Sequence, residues 1–192
     1  MILKNARILT EDWKFITGDM RISNGKIVEL SANISANGND SFDCNGGYLI
    51  PGLVETHFHG ALGEDAHKPT ENTLDAFSRF EVSQGITTFV AGPGSVSDNT
   101  IEYIIELIKK FMATTPIGAK MAGIYLEGPF VSYKRRGGHA PELIQLPSAE
   151  KLKTVLVKDM SELYILGAVI LLRALLSILI HLELKKKNEE NK

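Results

Sequence analysis

The chain has 192 residues, a formal net charge of −2, 44% hydrophobic and 23% charged residues, a composition that excludes wholesale disorder. Without a basic surplus it does not read as a nucleic-acid binder, and a whole (β/α)₈ barrel of ~250 residues does not fit. Its single cysteine, Cys44, forms no internal disulfide, so a reducing, cytoplasmic compartment is the default.

The first elements read as short strands. Residues 2–9 are apolar and β-rich. Residues 19–23 and 26–30 flank Asn24-Gly25, which predicts a type I′ hairpin because both central positions need positive φ. The polar stretch 31–41 reads as a loop, and 46–50 as a brief strand closed by Pro51-Gly52. Residues 1–50 are therefore expected to form a small β module.

From residue 53 the rhythm changes. Residues 53–58 are strand-like. Residues 73–84 place Leu74, Phe77 and Phe80 on one helical face, with Gly85 as a stop. The β-branched run 86–91 predicts a buried strand. Asp98 is the expected N-cap of a helix over 101–112, striped by Ile101, Ile104, Ile105 and Ile108. Residues 119–126 form another strand, 128–147 a long Gly- and Pro-rich loop, and 148–157 a helix capped by Ser148 with Lys151 on its exposed side. This alternation predicts βαβ units, a parallel sheet and an α/β class, with functional groups at the C-terminal ends of strands. Residues 51–160 are expected to hold about three βα units. Residues 161–192 read as an atypical apolar helix over 163–182 followed by a charged tail. Their hydropathy permits a membrane span, whereas the lysines that follow argue against one.

Chemistry concentrates in two places. His57 and His59 alternate around Phe58 at a strand end, so both imidazoles point to one face and suit a divalent ion. Gly60 then lets the backbone turn away. Glu127 ends another apolar strand, where a carboxylate needs a cation or a salt bridge. The run Lys134, Arg135, Arg136, Gly137, Gly138, His139 reads as an anion-binding loop or as a solvated basic one. Ser95 lacks a visible His-Asp partner and is rejected as a nucleophile. His67 and His181 read as surface residues, Asp65 as a loop carboxylate and Cys44 as inert.

The stretch from Pro51 to Gly60, with its His57-Phe58-His59, resembles the strand-one signature of the amidohydrolase superfamily. Leu126-Glu127-Gly128-Pro129-Phe130, followed by the loop from Lys134 to Pro141, is similar to the N-acetylglucosamine-6-phosphate deacetylase family within it. The resemblance covers about residues 1–160. It implies the N-terminal part of a small β module beside a partial, TIM-like (β/α)₈ barrel. It also implies a divalent cofactor, Zn or Fe, as one or two ions. Glu127 would be the principal ligand, and His57 and His59 would hold a second ion. Gly138 and His139 would lie against the amino-sugar phosphate, a small-molecule partner. The implied reaction releases acetate from N-acetylglucosamine 6-phosphate. Family members commonly form homodimers. The family's later histidine ligands and its catalytic Asp have no counterpart here, so no catalytic residue is assigned and the chain is expected to be inactive alone. Two alternatives stay open: another amidohydrolase, or a non-enzymatic metal-binding or membrane-attached remnant.

Overall fold

The computed structural model describes residues 1–36, 38 and 40–151. The expected apolar helix over 163–182, His181, the charged tail and most of the helix over 148–157 lie outside the described residues. The chain divides into two units, the first spanning Met1–Gly52 and the second beginning at Leu53.

The first unit is a five-stranded sheet of β1 (Ile2–Leu9), β2 (Phe15–Ser23), β3 (Lys26–Ser31), β4 (Ser41–Asp43) and β5 (Tyr48–Leu49). The order is β3-β2-β1-β4, and β5 also pairs with β1. β2 and β3 are antiparallel across a turn in which Asn24 and Gly25 take φ 50° and 71°, as the hairpin signal requires. β2 begins earlier than its sequence pattern suggests, and the short β4 starts at Ser41, where the polar stretch read as loop ends. Asp19 is buried and holds this sheet together. It accepts hydrogen bonds from the backbone N–H groups of Asn5 (2.9 Å) and Ile34 (2.8 Å) and pairs with Lys4 Nζ at 3.1 Å. Asn5 sits at φ 54° in the irregularity of β1, which turns its N–H out of the ladder and onto that carboxylate. Ala6, Ile8 and Met20 form the core of this unit.

The second unit is a parallel sheet of β6 (Leu53–Phe58), β7 (Ile86–Ala91) and β8 (Lys120–Ile124), in that order. Helix α1 (Glu71–Ser83) connects β6 to β7, and α2 (Asp98–Met112) connects β7 to β8. Thr70 caps α1 by accepting from Thr73 N–H, and Gly85 at φ 81° follows its end. The cap of α2 is Ser97, which accepts from Thr100 N–H; Asp98, the expected cap, is instead the first helical residue, where its charge complements the helix dipole. Phe77 and Leu74 of α1, Ile104 and Ile108 of α2, and Phe89 and Met121 of the sheet are fully buried, and Phe58 is buried in the same cluster. At roughly 1.5–3 kcal/mol for each large side chain, this one-faced core dominates the stability of the unit. Phe58 therefore faces the helices, and strand alternation sends His57 and His59 to the other face.

Between β8 and Ser148 the chain makes two single 3₁₀ turns, Tyr133–Arg135 and Pro141–Leu143, and is otherwise irregular. Ser148 caps the next turn by accepting from Lys151 N–H. The Lys151 side chain is not free in solvent as expected: its Nζ pairs with Asp98 at 2.5 Å and contacts Gln145. Among the described residues, no helix is long and apolar enough to cross a membrane.

Candidate metal centre

The centre is built where β6, β7 and β8 end. Each strand contributes through the backbone of the next. Gly92 N–H donates to the Phe58 carbonyl at 2.7 Å, and Tyr125 N–H donates to that of Ala91 at 2.8 Å. Glu127 lies three residues beyond the end of β8 rather than in the strand itself, and its N–H reaches the Pro93 carbonyl at 3.4 Å.

His57 and His59 project from the same face, with their Nε2 atoms 2.9 Å apart. Gly60 at φ 146° is forced: a Cβ there would lie 2.2 Å from the Glu64 carbonyl oxygen. The loop then folds back, so that Ala66 N–H donates to the His59 carbonyl at 2.8 Å. His57 is tethered through its N–H to Glu55 Oε1 at 2.7 Å, and its ring lies 4.6 Å from that of Tyr125. Burial, with the nearby Glu127 charge, pushes the Tyr125 phenol up and keeps it neutral.

Glu127 closes the group. Its Oε2 stands 3.3 Å from His59 Nε2 and 3.9 Å from His57 Nε2. A tetrahedral ion with ligand distances of about 2.0–2.2 Å separates its donors by roughly 3.3–3.6 Å. The separations of 2.9, 3.3 and 3.9 Å bracket that edge, and all three donors lie within 4.8 Å of one another. The tautomers also fit. His59 Nδ1 lies 2.5 Å from the Gly92 carbonyl, which can only accept, so Nδ1 carries the proton and Nε2 presents a lone pair to the group. The donor set therefore fits a divalent cation.

His139 belongs to the same cluster, with Nε2 3.8 Å from Glu127 Oε2. Its Nδ1 accepts from both the backbone N–H (3.1 Å) and the hydroxyl (2.8 Å) of Ser95. The proton then sits on Nε2, which makes His139 a donor to the site and not a ligand. Gly138 is exposed beside it with open space around its Cα. Lys134 and Arg135 are exposed, whereas Arg136 is half-buried and lies over the Tyr133 ring.

Three residues dismissed in the sequence sit at this centre. Ser95 is buried and does have a histidine partner, although that imidazole already accepts from the serine's own N–H and is no free base. His67 is only partly exposed: its ring stacks 6.1 Å from that of His59, and Asp65 orients it. Burial would raise the Asp65 carboxyl, but hydrogen bonds from the His67 backbone and ring outweigh it and hold the group below its usual range.

A parallel α/β sheet with imidazoles and a carboxylate gathered at its C-terminal strand ends is an arrangement that can hold a divalent cation. Comparison with known proteins is more specific. The chain is 29% identical over 165 residues to N-acetylglucosamine-6-phosphate deacetylase of Bacillus subtilis (strain 168), and 25% identical over 153 residues to that of Lysinibacillus sphaericus. Each match takes in 80% of this chain, which spans only 40% of the length of either relative. A crystal structure of N-acetylglucosamine-6-phosphate deacetylase from Thermotoga maritima superposes on 80% of this chain and 39% of its own, with a TM-score of 0.66 at 29% identity. No family model matches the sequence.

Proposed function

We propose that this chain is part of a metal-dependent deacetylase that hydrolyses the acetamide of N-acetylglucosamine 6-phosphate, giving glucosamine 6-phosphate and acetate in cytoplasmic amino-sugar breakdown. The convergence of His57, His59 and Glu127 at the ends of parallel strands carries the reading. The three βα strands are then the first of a (β/α)₈ barrel, and residues 1–50 are the N-terminal part of a small β module.

In this reading His57, His59 and Glu127 hold the ion, for which Zn²⁺ or Fe²⁺ suits two imidazoles and a carboxylate. A bound divalent ion supplies Lewis acidity toward an amide carbonyl and makes water more acidic. The remaining groups bind and orient. His139 offers an Nε2–H donor beside Glu127, and Gly138 leaves backbone open to an amino-sugar ring. The exposed Lys134 and Arg135 favour an anionic substrate.

Among the described residues Glu127 is the one carboxylate in the cluster, and the ion takes it. Asp65 is engaged by His67 and Glu55 by the His57 N–H, so among the described residues no further carboxylate joins the cluster to accept a proton from water and return it to the leaving amine. The 192-residue chain alone is therefore proposed to be inactive. Purified chain should bind about one Zn²⁺, and Glu127→Ala should abolish that binding. Unaltered binding by the variant overturns the site, whereas acetate release at ordinary enzyme rates, about 1–10³ s⁻¹, overturns only the inactivity.

A further inference from the structure

We propose that His67, oriented by Asp65, is a positioning residue. It locks the turn that follows β7 and, through that turn, the tautomers of His59 and His139.

The Asp65 carboxylate lies 2.5 Å from His67 Nδ1 and also accepts the His67 backbone N–H at 2.8 Å. A carboxylate accepts, so Nδ1 carries the ring proton and Nε2 is left bare. That Nε2 accepts the backbone N–H of Gly94 at 2.9 Å. The approach is close: a Cβ at residue 94 would stand 2.6 Å from His67 Nε2 and would displace the ring.

Gly94 is the middle of a short relay. Two residues before it, the Gly92 carbonyl accepts a hydrogen bond from His59 Nδ1–H at 2.5 Å. One residue after it, the N–H and hydroxyl of Ser95 meet His139 Nδ1. A single turn thus turns the lone pair of His59 and the N–H of His139 toward Glu127. Gly92 and Gly94 have no side chains to hold the turn, and glycine backbone is the most permissive. Buried Pro93, the bond from Gly92 N–H to the Phe58 carbonyl and that from Glu127 N–H to the Pro93 carbonyl hold the first part of the turn; His67 holds the Gly94 N–H, from a loop already pinned to the His59 carbonyl by Ala66 N–H. Fixing the tautomer of a ligating imidazole is the established use of such outer groups.

The proposal rests on the metal reading for its affinity readout and stands apart from it for its spectroscopic one. Long-range ¹H–¹⁵N spectra of the metal-free chain should show His59 and His67 protonated at Nδ1 and His139 at Nε2. His67→Phe keeps a ring over His59 but offers no acceptor; in it the His59 and His139 signals should average between tautomers, and Zn²⁺ affinity should fall about tenfold. His67→Gln places an acceptor near the lost Nε2 and should restore both tautomers and affinity to within about threefold. A His67→Phe variant with unchanged tautomers and affinity overturns the proposal, and so does a failure of His67→Gln to restore them. If His67→Phe does not fold, the wild-type spectrum still decides, since His67 protonated at Nε2 contradicts the clamp. Wild-type chain that binds no Zn²⁺ defeats the metal reading and leaves the tautomers to decide this one.

Discussion

The 2.5 Å hydrogen bond from His59 Nδ1 to the Gly92 carbonyl aims one strand's ligand with the backbone of the next. It holds the Nε2 lone pair of His59 toward His57 and Glu127 before any ion arrives. Pre-orientation of this kind reduces the cost of ordering ligands on binding. Loss of an outer group typically costs 10–100-fold in metal affinity, so loss of a ligand should cost more than about 100-fold. Zn²⁺ competition titrations of His59→Ala and Glu127→Ala should both show this, with the folded spectrum retained. An affinity within a few-fold of wild type would remove either residue from the ligand set.

Much of the scaffold was legible because it follows from local rules. β1 and β7 fall where the apolar runs place them, and Asn24-Gly25 forms the turn its φ demands. The pair His57 and His59 needed only strand alternation. Other features depend on distant partners. β4 is three residues long and exists because β1 pairs with it in parallel. β2 starts at Phe15 and runs through Gly18, where a Cβ would lie 2.6 Å from the Ser31 carbonyl oxygen of the neighbouring strand. His67 and Ser95 were dismissed because their partners, Gly94 and His139, lie 27 and 44 residues further on. Contacts made through a backbone N–H leave no residue-type signature in a sequence.

Gly128 should tolerate no side chain. A Cβ there would stand 2.1 Å from Ser95 Oγ and 3.0 Å from Ser95 Cα, inside the hydrogen bond that orients His139. Gly128→Ala must push Ser95 off His139, at a cost of about 1–3 kcal/mol for overpacking. Thermal unfolding should show that loss, and the His139 ring signals should shift with it. Ser95→Ala should move the same signals with a smaller loss of stability, because the Ser95 N–H still reaches Nδ1.

Acid should weaken the first unit through Asp19. Hydrogen bonds from the Ile34 and Asn5 N–H groups, helped by Lys4, hold its carboxyl below the ordinary carboxylate value despite burial. A folded value below the unfolded one means the stabilisation is complete above the unfolded pKa of about 3.9. It is lost as pH falls through the depressed folded value. Asp19→Asn should therefore be destabilised at pH 7, and its deficit should shrink below about pH 3. Denaturant melts at both pH values, read from the hydrogen-exchange protection of β1 and β2, test this; an equal deficit at both would refute it.

Glu81 should behave in the opposite sense. It is buried in α1 with its Oε2 unpartnered, and burial, with the Glu55 charge nearby, raises its carboxyl above the ordinary value. A folded value above the unfolded one favours the folded state fully below the unfolded pKa of about 4.3, and that advantage is lost as pH rises through the folded value. Ionisation then places a charge where no cation meets it among the described residues. Glu81→Gln keeps the shape and removes the charge. It should be more stable than wild type at pH values above the raised folded pKa, where wild-type Glu81 carries an unpaired charge. The gain should vanish near pH 4, where wild-type Glu81 is already neutral. Melting temperatures of the two proteins across that range should converge toward acid; curves that stay parallel would mean Glu81 finds a cationic partner in the folded chain.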